Sequence, residues 1–257
     1  MKRLHLGSSD TIVSEFCLGT MYFGTRVSRA NAFRVMDCYR DYGGNFIDTA
    51  NNYAWGVGDT YYLDLCYIHT DQLEYVLDER LEALGLLVKQ GKIRYKGCSN
   101  ISTQRYLKSE AINRDRGWGQ FQAVQQKFSY LLPETIDPEA AMKFVDQRLI
   151  DAAEQHGVSL LSYSVLLSGA YAKGFRSLPI EYQTEKNFKA YSRLDMAAKY
   201  LGCSRSQFVL LWVRQRSEHM IPIIAAGNTG QLRENLKALE FEGEASLLQD
   251  LVNVKAS

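Results

Sequence analysis

Short apolar runs alternate along the chain with longer segments in which apolar residues recur every three or four positions. The short runs are "EFCLG" (15–19), "NFIDT" (45–49), "YLDLCYIH" (62–69), "RYKGCSN" (94–100), "AVQQK" (123–127), "SLLSYS" (159–164) and "MIPII" (220–224). Their length and boundaries predict β-strands. Between them, helical spacing runs through 29–43, 73–92, 145–157, 191–202 and 229–240. Gly43, Gly91, Gly157 and Gly202 stand where helices would stop, and Ser102 and Ser204 where helices would open.

Strand–helix alternation of this kind predicts a parallel sheet with right-handed crossovers, and hence an α/β fold. The opening segment "KRLHLGSSDTIVSEFCLG" turns at Gly7-Ser8-Ser9-Asp10. It predicts a hairpin that plugs the amino-terminal mouth of a barrel. The strand count is seven, one short of a closed (β/α)8 TIM barrel.

Length and charge narrow this picture. At 257 residues, with no linker or repeat dividing it, the chain is expected to be a single barrel domain spanning 1–257. Its 30 Lys plus Arg balance 29 Asp plus Glu, so no net field recruits nucleic acid or an acidic membrane. The longest apolar run, "FVLLWV" (208–213), is too short to span a bilayer, and the start lacks the apolar core of a signal peptide. Five widely spaced cysteines, with no C-x-x-C pair, point to reduced thiols and a cytoplasmic protein. No metal-ligand cluster stands out.

Active sites of barrels of this type lie at the carboxyl ends of the strands. The seven runs end in Gly19-Thr20, Asp48, His69, Ser99-Asn100, Gln125, Tyr163-Ser164 and the turn at 225–228. Each has a bland reading: Asp48 as a helix cap, His69 as a core histidine, Ser99-Asn100 as a helix start, Gln125 paired with backbone, Tyr163 as packing. Polar residues at the same end of successive strands together favour a site.

These residues also carry a resemblance to the aldo-keto reductase family. It rests on "LGTMYFG" (18–24), "GGNFIDTANNY" (43–53), "YLDLCYIH", "LVKQGKIRYKGCSN" (87–100), "LLSYSVLLSG" (160–169) and "IPIIAAGNTGQLRENLKALE" (221–240). The resemblance implies a (β/α)8 barrel binding NAD(P)H across its strand ends without a Rossmann glycine motif. It implies Tyr53 as proton donor to a substrate carbonyl, Asp48 in its activating network and His69 as the group that orients or polarises the carbonyl. Gly19 and Thr20 fall within the cofactor-binding elements. Ser99, Asn100 and Gln125 would hold the nicotinamide carboxamide, and Tyr163, next to Ser164, would stack on the ring. Gln231, Glu234 and Asn235, with the turn containing Gly227 and Asn228, would contact the adenosine end.

Chemistry sets a condition on this set. A phenol is a poor acid at neutral pH, and a neighbouring carboxylate makes it poorer still. Asp48 therefore assists Tyr53 only with a cation between them. In the family that cation is a lysine ending the third strand. Here "NNYAWGVGDT" leads directly into "YYLDLCYIH", where the family has a helix, that strand and another helix. Either residues are hidden from this sequence or the segment is deleted; the barrel-type patterns on both sides favour hidden residues. No lysine present, including Lys89, Lys92, Lys96 and Lys127, stands in the required place.

Other departures are Lys127 and Phe128, where relatives often carry Glu and Tyr, and "AAGNTGQ" (225–231), which lacks the basic residue many relatives place near the 2′-phosphate. Arg233 is a possible substitute there. The expectation is an NADPH-dependent oxidoreductase, with NADH as the other cofactor, reducing aldehydes, ketones or sugar-like carbonyls. Met21, Tyr22, Phe23, Tyr53, Ala54, Trp55 and residues 168–190 would shape the substrate pocket. The alternative is a cofactor-binding regulatory or sensor subunit with little turnover.

Overall fold

The structure is a computed structural model, and it describes residues 1–50, 53, 63–71, 76–137 and 140–241. The elements in chain order are β1 Arg3–His5, β2 Ile12–Ser14, β3 Cys17–Gly19, α1 Arg29–Asp41, β4 Ile47–Asp48, β5 Leu65–Ile68, α2 Leu77–Lys89, β6 Tyr95–Ser99 and α3 Thr103–Arg116. There follow β7 Ala123–Lys127, α4 Gln147–His156, β8 Ser159–Tyr163, α5 Ala170–Lys173, α6 Glu185–Tyr200, α7 Arg205–Arg214, β9 Met220–Ile224 and α8 Thr229–Leu236. All seven expected core strands form. Their order is β4-β3-β9-β8-β7-β6-β5, and every pairing is parallel.

The helices end where the local chemistry dictates. Ser28, Ser102, Asp146, Thr184, Ser204 and Asn228 each accept a backbone N–H from three residues on. Such a cap contributes about 1 kcal/mol. Ser204 and Gln207 complete a reciprocal capping box. Gly43, Gly91, Gly157 and Gly202 all take left-handed φ at or just past a helix end, as their positions in the sequence predict.

Two apolar layers hold the sheet. The outer one lies between strands and helices and includes Phe16, Leu18, Val124, Leu160, Met220 and most of α7. The inner one gathers Cys17, Leu65, Tyr67, Ala123, Leu161, Ile221 and Ile223 with Leu6 and Val13 of the hairpin. Fully burying a leucine such as Leu161 contributes about 2 kcal/mol. The hairpin closes the base of the interior as expected: the Gly7 amide donates to Ser159 Oγ at 2.8 Å, and a Cβ at Gly7 would collide with the Gln122 carbonyl. Above it, Gly97 leaves the space that the Tyr67 ring fills, since a Cβ there would stand 2.7 Å from that ring.

The sheet is curled. β4 and β7 are four places apart in the strand order. A flat sheet would separate them by roughly 19 Å at about 4.8 Å per strand. Instead Gln125 Nε2 of β7 donates to Asp48 Oδ1 of β4 at 2.7 Å, across the interior. The curl leaves β4 and β5 as its two edges, and among the described residues they do not pair with each other. The family's additional strand would stand between them. The full sequence has 257 residues with none hidden within it, so the expectation of hidden residues is corrected: this chain lacks the segment.

On the outer face of β6 a lysine is buried. Lys96, 2% exposed, donates to Asn113 Oδ1 at 2.7 Å; Asn113 Nδ2 and the Phe121 amide each donate to Glu110 Oε1 at 3.1 Å. Burial pulls the Lys96 ammonium down to about 8, while Glu110 pulls the other way. With its folded-state value below the unfolded one, the folded protein binds fewer protons above about pH 7.5, and stability rises with pH. The trend is opposed from about pH 9 by Cys17 and Cys98, whose thiols burial pushes up. Urea unfolding should therefore show stability increasing between about pH 7.5 and 9, and Lys96→Met should flatten that rise.

Candidate active site

Side chains on a strand alternate between faces, so the inner layer identifies which residues point inward. Gly19, His69, Gln125 and Tyr163 each lie two residues beyond an inner-layer residue (Cys17, Tyr67, Ala123, Leu161), and Ser99 two beyond Gly97. Asp48 shares the face of its register partner Gly19. One layer at the carboxyl end of the sheet thus collects six residues expected from the sequence.

Asp48 is held from three directions. Gln125 donates to its carboxylate, Tyr53 hydrogen-bonds it, and the His69 charge acts on it. Its backbone carbonyl accepts from the Thr20 amide at 3.1 Å and Thr20 Oγ1 at 2.9 Å, which fixes the short β4 to β3. Burial raises the Asp48 carboxyl above the ordinary aspartate range, only partly offset by Gln125, His69 and Tyr53. The Tyr53 hydroxyl is pushed well up, first by burial and then by the Asp48 charge and its hydrogen bond. Among the described residues no lysine acts on either group. Nor does the sequence from 49 to 71 contain any lysine or arginine.

Asn100 ties the strand ends together. It sits just past β6 in the left-handed region, φ 53°, which asparagine tolerates better than most residues. Its Nδ2 donates to Ser99 Oγ at 3.0 Å and to the His69 carbonyl at 3.1 Å. Its Oδ1 accepts from Tyr163 OH at 2.7 Å and from the Lys143 amide at 3.3 Å. The Tyr163 hydroxyl is pushed up to about 12 by burial. Ser164 follows, exposed and also left-handed, φ 55°.

The remaining expected residues form a second group at α8. Asn228 caps the helix through the Gln231 amide at 2.9 Å, and Gln231 Oε1 accepts the Gly227 amide at 2.8 Å. Asn235 is buried and donates to the Ala225 carbonyl at 3.4 Å, while the Glu234 carbonyl accepts from Gln207 Nε2 at 3.0 Å. These residues shape the 225–228 turn. Arg233 is exposed and its guanidinium meets Cys38 of α1. Ala54 and Trp55, expected in the substrate pocket, lie outside the described residues.

One feature behind the site was not read from the sequence. Arg105 Nε reaches the Asp71 carboxylate at 2.7 Å, with Asp71 6% exposed, and Arg80 Nη1 donates to the Thr70 carbonyl at 3.3 Å. Helices α2 and α3 thereby clamp the loop that follows His69. Arg105 is far from Asp71 in sequence, and neither arginine has a spacing that marks it.

A profile of the Aldo/keto reductase family matches residues 57–254. The chain is 23% identical to an aryl-alcohol dehydrogenase of Pestalotiopsis microspora, over 97% of this chain and 80% of that protein. It is 24% identical to an uncharacterised oxidoreductase of Bacillus subtilis strain 168, over 99% and 96%. A norsolorinic acid reductase of Aspergillus flavus is 23% identical over 92% and 76%. The first of these alignments extends over 319 positions, more than this chain has residues, so the relative carries segments with no counterpart here. Fold, strand-end layer and profile agree: this is an oxidoreductase-type α/β barrel. The chain belongs to the aldo/keto reductase family, whose members generally use nicotinamide cofactors. Among the described residues no helix is long and apolar enough to cross a membrane.

The half-buried Asp48 supplies a test of the electrostatics. Because its folded-state value is raised, its ionisation lowers stability as pH climbs above the ordinary aspartate value. Asp48→Asn should raise the melting temperature at pH 7 by about 2 °C, and the gain should vanish near pH 4.

Proposed function

We propose that this protein reduces aldehyde or ketone carbonyls with NAD(P)H, with Tyr53 as proton donor. The observation that carries this reading is the meeting of Asp48, Tyr53 and His69 at the carboxyl end of the curled sheet. The cofactor, when bound, supplies the hydride. The residues present fit such a group: Ser99, Asn100 and Gln125 offer amide and hydroxyl partners for a carboxamide, beside the Tyr163 ring. Gln125 would release Asp48 to do so. Gly19 keeps the β3 end free of a side chain, and a Cβ there would stand 2.9 Å from Ile223. The turn at Gly227 and Asn228, with Gln231, would take the adenosine end, and NADPH is the preferred form.

Substrate would enter beside Met21, Tyr22 and Phe23, with its carbonyl oxygen between Tyr53 and His69. His69 donates to that oxygen as charge develops on it. Tyr53 gives up its proton as hydride arrives. Its raised value keeps it protonated at neutral pH but makes the transfer costly, because efficient general acids have values near the working pH. Among the described residues no lysine or arginine acts on the phenol, and this reading therefore expects slow turnover.

That same observation favours one second reading, a cofactor-holding regulatory subunit with little turnover. The two separate on one variant. Tyr53→Phe should abolish carbonyl reduction, followed by loss of NADPH absorbance, while NADPH binding by fluorescence quenching stays within about twofold. Turnover that survives the change removes Tyr53 from its role, and wild-type protein that binds NADPH without reducing any carbonyl supports the regulatory reading. Asn100→Ala, which strips four hydrogen bonds from the strand ends, should weaken NADPH binding by about tenfold.

A further inference from the structure

Tyr67 stands at an inward position of β5, two residues before His69 and therefore one layer below the strand-end side chains. Gly97 of β6 is its register partner, and a Cβ there would lie 2.7 Å from one ring carbon of Tyr67 and 2.8 Å from the next. The ring thus lies directly against the neighbouring strand. Part of the residue is exposed, but its hydroxyl oxygen is buried and has no hydrogen-bond partner among the described residues. Buried polar side chains nearly always have one, so an orphan here needs a reason.

The neighbours of the hydroxyl supply it. Burial raises its value above the ordinary phenol range and the Asp48 charge raises it further, while the Gln125 side chain pulls it down. Those two neighbours are occupied with each other, through the 2.7 Å bond from Gln125 Nε2 to Asp48 Oδ1. The hydroxyl therefore stands beside an acceptor whose donor is already in place. A phenol donating to a carboxylate makes a charge-assisted bond, stronger than one between neutral groups. Gln125 is also the side chain that binding of the carboxamide would draw away from Asp48.

On that reading of Gln125, we propose that Tyr67 is a positioning residue for carbonyl reduction: when Gln125 turns to the nicotinamide carboxamide, the Tyr67 hydroxyl replaces it as donor to Asp48. The exchange keeps the carboxylate hydrogen-bonded when its charge matters most, as Tyr53 gives up its proton. A donor on Asp48 draws negative charge away from the Tyr53 oxygen, where a bare carboxylate would oppose the transfer. The orphan of the free protein is a partner held in reserve for the cofactor-bound one.

Tyr67→Phe removes only the hydroxyl, and melting temperatures of the free protein test the exchange without cofactor. In the wild-type background, where the hydroxyl makes no bond, the change should raise the melting temperature by about 2 °C. In a Gln125→Ala background, where Tyr67 is the donor that remains, it should lower it by about 2 °C. Fluorescence titration of the full chain should show NADPH binding weakened about fivefold by Tyr67→Phe, and kcat for benzaldehyde should fall with its KM unchanged. A phenol that only packs gives the same shift in both backgrounds. An equal shift overturns the proposal, as does unaltered NADPH affinity in Tyr67→Phe. NADPH that fails to bind wild-type protein removes the reading of Gln125, while a reversal of sign between the backgrounds still supports Tyr67 as the second donor to Asp48.

Discussion

A hydrogen bond between Gln125 and Asp48 is the constraint on which the candidate site depends. It joins strands that a flat sheet would hold far apart, and so requires the curl that gathers polar side chains into one layer. The curl in turn needs a filled interior. The hairpin side chains Leu6 and Val13 occupy its base, and Tyr67 occupies the space above through the absent side chain at Gly97. Sequence thus acts on the site through packing: small and large residues alternate inside so that Asp48 and Gln125 meet above them.

The electrostatics of that layer are unbalanced. A carboxylate and a phenol share a hydrogen bond in a partly buried place: burial favours the protonated form of both, and the Asp48 charge adds to this at the Tyr53 hydroxyl. A lysine would relieve both, and the segment that carries it in the family is missing from this chain. Among the described residues β4 and β5 are the edges of the sheet at the same place. The missing segment bears on both: among the described residues β4 and β5 do not pair, and no lysine acts on Tyr53.

Much of this was legible in the sequence. Seven strands, the hairpin, the capping serines and the terminal glycines follow from local chemistry, and the inward layer follows from period-two alternation. Two helices were harder to read. In α7 nearly every residue is buried, so it shows no polar face and only Ser204 announces it. In α3 the buried face carries Ser109, Glu110 and Asn113, which replace the apolar stripe that periodicity detects. The site itself was legible by residue type, but its contacts were not. That Asn100 commits its amide to Ser99, His69, Tyr163 and Lys143, or that Asp71 meets Arg105, depends on side-chain directions between distant strands and helices.

A double-mutant cycle on Asp48→Ala and Gln125→Ala, read by urea unfolding at pH 7, tests the central constraint. Contact across the curled interior predicts that the two changes depart from additivity by more than about 0.5 kcal/mol. Energies that add within about 0.3 kcal/mol would mean that these strands do not meet, and the assembled site would fall with them.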